Sequence, residues 1–347
     1  MILSYEKCNI CPRECNVNRS EGLLGICRTP DGIFAARAAL HYWEEPVISG
    51  ESGSGAIFFT GCNLGCVYCQ NREISGSFLE KFRIPPLRLH DIFYELKDQG
   101  ANNINLVTAT HQLPAIIPVL RQIKDEHFPL PIIYNSSGYE KADALRELEG
   151  LIDIYLPDFK YVNNETAKRY SKAPDYPEVA LSAIKEMARQ TGAARFTDEN
   201  KYPLTNTAIE NRPTADSAKD GIDDNYTESD GNISTDDYTG SPLIKKGTIV
   251  RHLVLPGHYE ESKEAVKLLY DTFGDDIYIS IMSQYTPMPE MVNNRDFPEL
   301  GESINRKKYD EIVDYAIDLG VENGFIQEEE ADRLSFIPCF DGTGIIR

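Results

Sequence analysis

Short apolar stretches and longer amphipathic stretches alternate along most of this sequence. Helical spacing of apolar residues, as at Leu89, Ile92, Phe93 and Leu96, predicts a helix after each apolar stretch. The alternation predicts parallel strands joined by right-handed crossovers, in an open doubly wound sheet or in a whole or partial barrel. The six predicted strands are "SGAIFFTGC", "NINLVTATHQ", "PIIYNSSGY", "IDIYLPDFKY", "GTIVRHLVLPG" and "DIYISIMSQY".

One long polar segment interrupts this alternation between Thr191 and Lys246. Asp, Asn, Thr, Ser and Gly dominate it, and large apolar residues are sparse. Such a composition buries too little surface to offset the chain entropy of folding. We therefore expect a disordered acidic insertion at about 191–246, within a domain that covers residues 51–347. Residues 1–50 form a separate cysteine-rich segment.

The charge of the chain narrows its possible partners. It has 55 acidic and 35 basic side chains, a formal net charge of -20, which opposes binding to phosphate backbones. We expect no nucleic-acid partner. The first residues, "MILSYEKCNI", lack the apolar run of a signal peptide, and no stretch is apolar enough to span a membrane. The interpretation is a soluble cytoplasmic protein, in which grouped cysteines favour metal ligands over disulfides.

Three of the eight cysteines follow the first predicted strand, in "GCNLGCVYCQN". Cys62, Cys66 and Cys69 have the spacing C-x3-C-x2-C. Cysteine thiolates hold iron-sulfur clusters, and three thiolates leave one iron of a four-iron cluster open to another ligand. An incomplete protein ligand set is typical of a catalytic metal site.

This spacing, with the aromatic Tyr68 just before the third cysteine, resembles that of the radical S-adenosylmethionine (SAM) superfamily. The resemblance implies that Cys62, Cys66 and Cys69 hold a 4Fe-4S cluster whose open iron is chelated by SAM. The reduced cluster would cleave SAM to a 5′-deoxyadenosyl radical, which abstracts hydrogen from the substrate. The resemblance also implies a partial (β/α)6 TIM-like barrel, with the site at the carboxyl ends of the strands.

A closer resemblance is to the PflX-like family, relatives of pyruvate formate-lyase activating enzyme. It implies a radical SAM oxidoreductase with an electron donor such as flavodoxin or ferredoxin. The substrate would be a protein, a peptide or a small molecule, with a glycine of a glycyl radical enzyme as the leading candidate. The alternative is a non-enzymatic iron-sulfur or zinc protein that transfers electrons or scaffolds a partner. The resemblance rests on "CNICPRECNVNRSEGLLGIC", "ALHYWEEPVISG", "NLVTATHQLP", "YNSSGY", "IDIYLPDFKY", "VRHLVLPG" and "MSQYTP".

The resemblance also suggests residues that contact SAM. Asp158 and Lys160 match the Asp-x-Lys that activating enzymes carry after the fourth strand. Many radical SAM enzymes have Gly-Gly-Glu after the second strand, where this chain has the polar Thr110 and His111. His252 is either a cavity residue or a hydrogen-bonded histidine of a buried strand. The full predicted set of cofactor contacts is Tyr68, Thr110, His111, Asn135, Ser137, Asp158, Lys160, His252 and Gln284.

Two further groups of residues complete the expectations. Cys8, Cys11, Cys15 and Cys27 can supply four thiolates to a closed site, which holds zinc, a rubredoxin-like iron or an auxiliary 4Fe-4S cluster. Cys339 stands alone, and we expect a small buried side chain. Glu44 and Glu45 would help close the site or, as is commoner for carboxylates, lie at the surface.

Overall fold

The computed structural model of this protein describes residues 3–76, 80–197, 242–327 and 338–345. Its centre is one sheet in which seven strands run parallel. Three further strands are antiparallel to their neighbours: β1 (Ile33–His41) pairs with β2, β3 (Arg83–Ile84) with β1, and β7 (Arg195–Phe196) with β8. The parallel strands are β2 (Ser54–Phe59), β4 (Ile104–Val107), β5 (Ile132–Ser136), β6 (Ile154–Pro157), β8 (Ile244–Leu253), β9 (Tyr278–Met282) and β10 (Gly324–Ile326).

Helices connect successive parallel strands, and the first helix lies between the antiparallel strands β1 and β2. They are α1 (Pro46–Ser49), α2 (Arg72–Ser75), α3 (Pro86–Asp98), α4 (Leu113–Asp125), α5 (Ala142–Arg146), α6 (Asn164–Ser171), α7 (Tyr176–Thr191), α8 (Tyr259–Phe273) and α9 (Arg306–Leu319). Helix α3 buries Leu89, Ile92, Phe93 and Leu96, the four residues whose spacing predicted it. Helix α4 continues through Pro118. Short connecting helices with apolar inner faces hold the parallel strands in place.

The order of the parallel strands in space decides between the predicted architectures. They lie side by side in the order β2, β4, β5, β6, β8, β9, β10, which is their order along the chain. Each crossover therefore advances in the same direction, as in a barrel, whereas a doubly wound sheet reverses direction at its centre. Within the described residues β10 does not pair with β2, whose other edge is covered by β1. The prediction of a partial TIM-like barrel is confirmed, and β10 adds a seventh parallel strand.

The predicted acidic insertion lies mostly outside the described residues. At its two described ends, β7 pairs with the start of β8, with Arg195 opposite Lys246. Strand β8 thus begins three residues before the predicted strand "GTIVRHLVLPG", because its first residues have β7 as a partner. Within the described part of the chain, every helix is too short or too polar to cross a membrane.

Candidate active site

A cavity of about 230 Å³ opens at the carboxyl ends of the parallel strands. Each parallel strand except β10 delivers at least one polar or sulfur-containing side chain to it, because the loops that follow parallel strands all lie at the same edge. The cavity is lined by His41, Trp43, Glu44, Phe58, Cys62, Leu64, Cys66, Tyr68, Cys69, Gln70, Asn71, Val107, Thr108, Asn135, Ser136, Ser137, Asp158, Lys160, Arg251, Leu253, Met282, Gln284, Tyr285 and Pro338.

The three cysteines after β2 all line this cavity. Their loop turns twice through left-handed backbone, at Gly61 (φ +82°) and Gly65 (φ +76°), where residues with a Cβ are strained. Burial, followed by repulsion from Cys69 and Cys66, raises the pKa of the Cys62 thiol to about 12. The raised pKa of Cys62 favours its uncharged thiol until a positively charged group converts it to a thiolate.

Each of the three sulfurs accepts a hydrogen bond. The backbone N–H of Leu64 donates to Cys62 Sγ at 3.4 Å. The Ser171 hydroxyl donates to Cys66 Sγ at 3.1 Å, and the Ser75 hydroxyl donates to Cys69 Sγ at 3.5 Å. Hydrogen-bond donors around a sulfur stabilise negative charge on it, as an iron-bound thiolate requires.

Asp158 and Lys160 form an ion pair on the cavity wall after β6. Lys160 Nζ lies 2.6 Å from Asp158 Oδ2. Burial alone would lower the pKa of Lys160, but the neighbouring Asp158 carboxylate helps to hold it above its ordinary value. The Tyr176 hydroxyl fixes the loop, since it accepts from the backbone N–H of Lys160 and lies within hydrogen-bond distance of the Asp158 carbonyl. The pair therefore presents a fixed ammonium and a fixed carboxylate to a ligand.

Tyr68, Asn135, Ser137, Asp158, Lys160 and Gln284, six of the nine predicted cofactor contacts, line the cavity. Thr110 and His111 do not, because a 3-10 turn (Thr110–Gln112) carries both side chains behind the cavity wall. Thr110 donates to Glu140 at 2.5 Å, and His111 Nε2 lies 2.7 Å from the Thr60 carbonyl. Burial, followed by the Arg19 charge, lowers the pKa of His111 to about 3.

His252 also lies away from this cavity. Side chains alternate between the two faces of a strand, and Arg251 takes the inward position of β8. His252 is buried on the other face, with Nδ1 2.7 Å from the Phe159 carbonyl. The hydrogen-bonded buried histidine is the alternative that the structure supports.

A buried ion-pair network at the cavity was not predicted. Arg251 donates to Glu45 at 2.9 Å and to Glu44, and Asn105 donates to Glu44 at 2.9 Å. All three charged side chains are buried, so the expectation of surface carboxylates is corrected. Burial alone would raise the pKa of Glu45, but the Arg251 charge holds it below its ordinary value.

Thr108 also lines the cavity and was not predicted from the sequence. Its backbone has a strained φ of 62°.

The four N-terminal cysteines lie outside the cavity, with Cys8, Cys11 and Cys27 buried. None of the four forms a disulfide. The fully buried Arg19 donates to Cys8 Sγ at 3.7 Å and to the carbonyls of Thr29, Pro30 and His111. No three His, Cys, Asp or Glu side chains in the described ranges converge closely enough to hold a single metal ion.

The N-terminal segment packs directly against the loop of the three cysteines. Arg13, between Cys11 and Cys15, donates to the carbonyls of Asn63 and Leu64 at 2.9 and 3.0 Å. It also donates to the carbonyls of Ser171 and Lys172 at the end of α6.

Cys339, expected to be buried, is exposed. Its carbonyl accepts from Arg37, so its segment is held there by backbone contacts.

Residues 56–193 match the family model of the Radical SAM superfamily. This segment is similar to a radical SAM domain. The match runs from β2 to the end of α7 and includes the three cysteines, Asn135, Asp158 and Lys160. Proteins of this superfamily use a 4Fe-4S cluster and SAM, and three thiols beside a cavity in this chain agree with that chemistry.

Curated relatives extend the radical SAM comparison. The chain is 32% identical over 182 residues to an uncharacterized protein of Methanocaldococcus jannaschii. This alignment covers 50% of this chain and 52% of that protein. It is 26% identical over 118 residues to a "Putative glycyl-radical enzyme activating enzyme" of Haemophilus influenzae, covering 33% of this chain and 43% of the relative. The matched segments thus span about half the length of these relatives. Among solved structures, Streptococcus suis SuiB bound to precursor peptide SuiA is 11% identical with a TM-score of 0.44, covering 78% of this chain and 47% of SuiB.

Proposed function

We propose that Cys62, Cys66 and Cys69 hold a 4Fe-4S cluster and that SAM occupies the cavity beside it. The observation that carries this proposal is the open set of three thiols at the wall of the cavity, within the segment that matches the superfamily. The donors fit the group: all three cysteines are free, and each sulfur accepts a hydrogen bond that favours its thiolate form. An electron-transfer protein has no need of a cavity for a second ligand.

When bound, these two groups together supply a 5′-deoxyadenosyl radical that abstracts hydrogen from a substrate. The residues of the chain bind these two groups and orient them. Lys160 offers a cation suited to the carboxylate of SAM, and Asp158 offers an anion suited to its amino group or ribose hydroxyls. Asn135, Ser137 and Gln284 supply neutral hydrogen-bonding groups on the same walls.

The ion-pair network of Arg251, Glu44 and Glu45 has a supporting role. It ties the loop between β1 and α1 to β8 on the far wall, so that the cavity keeps its shape before a ligand enters. A site held in place in advance loses less entropy on binding and orients the reacting atoms better. Buried charges without these partners would be strongly destabilising.

Hydrogen abstraction from a protein glycine is the leading candidate reaction. The name of the Haemophilus influenzae relative supports this choice, because it designates an activating enzyme of a glycyl-radical enzyme. A one-electron donor such as flavodoxin or ferredoxin would supply the reductant. A peptide or a small molecule is the competing substrate class.

The N-terminal thiols would hold an auxiliary 4Fe-4S cluster. Tetrahedral zinc needs its ligands to converge on one point, and within the described residues these thiols do not. A four-iron cluster is larger, and each thiolate binds a different iron. The buried Arg19 would neutralise part of the negative charge of four thiolates.

An anaerobic experiment tests the proposal. The full chain is reconstituted with iron and sulfide, and iron, sulfide and zinc are counted per chain. The reduced protein is then assayed for conversion of SAM to 5′-deoxyadenosine. About eight irons with cleavage are expected; about four irons with zinc would replace the auxiliary cluster by a zinc site. An intact, reducible cluster without cleavage would favour electron transfer instead.

The substrate is tested with deuterium. The protein is incubated with SAM and a glycyl radical enzyme whose glycines carry deuterium, and the 5′-deoxyadenosine is analysed by mass spectrometry. Incorporation of deuterium is expected, with Cys66→Ser as the inactive control. Unlabelled 5′-deoxyadenosine would turn the search towards peptides and small molecules.

A further inference from the structure

A chain of three buried hydroxyl groups ends on the sulfur of Cys66. Tyr68 Oη lies 2.7 Å from Tyr161 Oη, and Tyr161 Oη lies 2.7 Å from Ser171 Oγ. Ser171 Oγ in turn lies 3.1 Å from Cys66 Sγ. Tyr68, Tyr161 and Ser171 are all buried, with Ser171 at 0% exposure. Cys66 is the only one of the three cavity cysteines for which the described residues show such a chain.

The direction of each hydrogen bond follows from the number of protons. A thiolate bound to iron has no proton, so Ser171 must donate its single proton to Cys66. The Ser171 oxygen then accepts from Tyr161, and the Tyr161 oxygen accepts from Tyr68. All three O–H dipoles point towards the sulfur, and each polarises the next, which strengthens the final bond.

Backbone contacts hold this donor in place. Ser171 is the last residue of α6, and Tyr170 before it accepts a hydrogen bond from the backbone N–H of Val67 at 2.9 Å. The Ser171 carbonyl accepts from Arg13 at 2.9 Å. The hydroxyl is therefore fixed relative to the cysteine loop by contacts on both sides.

We infer that the Tyr68–Tyr161–Ser171 chain raises the reduction potential of the cluster at Cys62, Cys66 and Cys69, with Ser171 as a positioning residue. Reduction adds one negative charge to the cluster, and hydrogen bonds to its sulfurs stabilise that charge. Because Ser171 is fully buried, water has no direct access to replace its hydroxyl. The inference rests on the proposed function, since it requires a cluster at these cysteines.

The test is an anaerobic potentiometric titration of the reconstituted full chain, followed by electron paramagnetic resonance. The signal of this cluster is identified as the part that changes when SAM is added. Ser171→Ala should lower the ratio of reduced to oxidised cluster roughly tenfold at a fixed potential, since the lost bond is to a charged group. Tenfold corresponds to a shift of 59 mV for one electron.

Tyr161→Phe provides a second variant that keeps the Ser171 hydroxyl. It should lower the ratio of reduced to oxidised cluster roughly twofold at a fixed potential. The direction is the same as for Ser171→Ala, and the effect is smaller because only the polarisation of the final bond is lost. Tyr309→Phe is the matched control: this tyrosine is also buried and donates to a backbone carbonyl, that of Ile281 at 2.7 Å. The reduction potential of the cluster in Tyr309→Phe should equal that in the wild type.

The outcomes separate this inference from the proposed function. A wild-type chain without a SAM-sensitive cluster refutes the proposed function and, with it, the inference. An intact cluster whose potential is unchanged in Ser171→Ala overturns the inference alone. An equal shift in Tyr309→Phe also overturns it, because general loosening would then explain the change. If Ser171→Ala does not retain its cluster, the sign of the shift in Tyr161→Phe decides.

Discussion

The two groups of cysteines differ in what surrounds them. Cys62, Cys66 and Cys69 line a cavity together with an ion pair and several hydrogen-bonding side chains. The N-terminal four lie outside it, and Cys8 lies beside the buried cation Arg19. Three thiols beside a cavity leave space for a reacting ligand, whereas a site that takes all four ligands from the protein leaves none. These surroundings agree with the proposal that the first group supports the chemistry and the second serves structure or electron relay.

The segments that carry the two groups of cysteines nevertheless pack against each other. A Cβ on Gly61 would lie 2.1 Å from Thr29 Oγ1 and 2.8 Å from the Cys27 carbonyl. Only glycine allows this approach. Arg13 adds hydrogen bonds from the N-terminal segment to the carbonyls of Asn63 and Leu64. A change in the N-terminal segment can therefore reach the cavity cysteines through a few contacts.

The largest expected effect separates the two groups by function. Cys66→Ser should abolish formation of 5′-deoxyadenosine, because it removes one of the three proposed ligands of the cluster. Cys11→Ser should change the metal content of the N-terminal site and leave the SAM-sensitive cluster visible by electron paramagnetic resonance. Metal analysis and the cleavage assay on both variants check this. Retained cleavage in Cys66→Ser would remove the cavity cysteines from the mechanism.

A second prediction concerns the charge of the N-terminal site. Arg19→Gln removes the buried cation beside Cys8 and should weaken metal binding there about 10- to 100-fold, as loss of an outer-shell partner does. The cavity cluster should keep its affinity. Competition with a chelator, followed by metal analysis, measures both sites. Equal loss from both sites would show that Arg19 acts through the fold rather than through charge.

The third prediction tests the contact between the two groups. Gly61→Ala and Gly65→Ala both place a Cβ on left-handed backbone, which alone costs about 1 kcal/mol. Only the first meets the N-terminal segment, since nothing lies within 4 Å of a Cβ at Gly65. We expect a loss in unfolding free energy of about 3 kcal/mol for Gly61→Ala, because a backbone carbonyl cannot move aside cheaply. Denaturant unfolding compares them, and equal losses would contradict tight packing at Gly61.

The strands of the barrel could be predicted because their apolar runs are continuous. Strand β2 is buried at all six residues, as such a run predicts. Strand β10 was missed because three residues are too short to show a pattern. Strand β1 was missed because its "IFAARAALH" is rich in alanine, a weak strand former.

The cavity could be predicted only in part. Cysteine spacing indicated three side chains that line the cavity, strand-end positions indicated Asn135 and Gln284, and the family resemblance indicated Asp158. Whether His252 points into the cavity depends on which residues of β8 point inward. The sequence alternates correctly in either register, so it does not specify which set this is. Glu45 and Arg251 are 206 residues apart along the chain, so no local pattern pairs them. The 3-10 turn at Thr110 and His111 likewise depends on its tertiary contacts.

The smallest expected effect is a pH dependence at Glu140, whose neighbour Tyr139 contacts the segments of both cysteine groups. Tyr139 before it accepts a hydrogen bond from Asn63 of the cysteine loop and stacks beneath Arg13 of the N-terminal segment. Burial raises the pKa of Glu140 from 4.5 to about 8, although hydrogen bonds such as that from Thr110 lower it in part.

A raised pKa in the folded protein fixes the sign of this dependence. The contribution of Glu140 is complete below about pH 4.5 and is lost as the pH rises to about 8, because the unfolded chain ionises first. Glu140→Gln keeps an acceptor for Thr110 but cannot ionise. Between pH 5 and pH 6.5 the wild type should lose about 2 kcal/mol of unfolding free energy relative to this variant. Burial lowers the pKa of His111 to about 3, but this residue is present in both proteins, so its own pH dependence cancels in the comparison. Denaturant unfolding at both pH values measures the difference, and parallel curves would mean that Glu140 ionises normally in the folded protein.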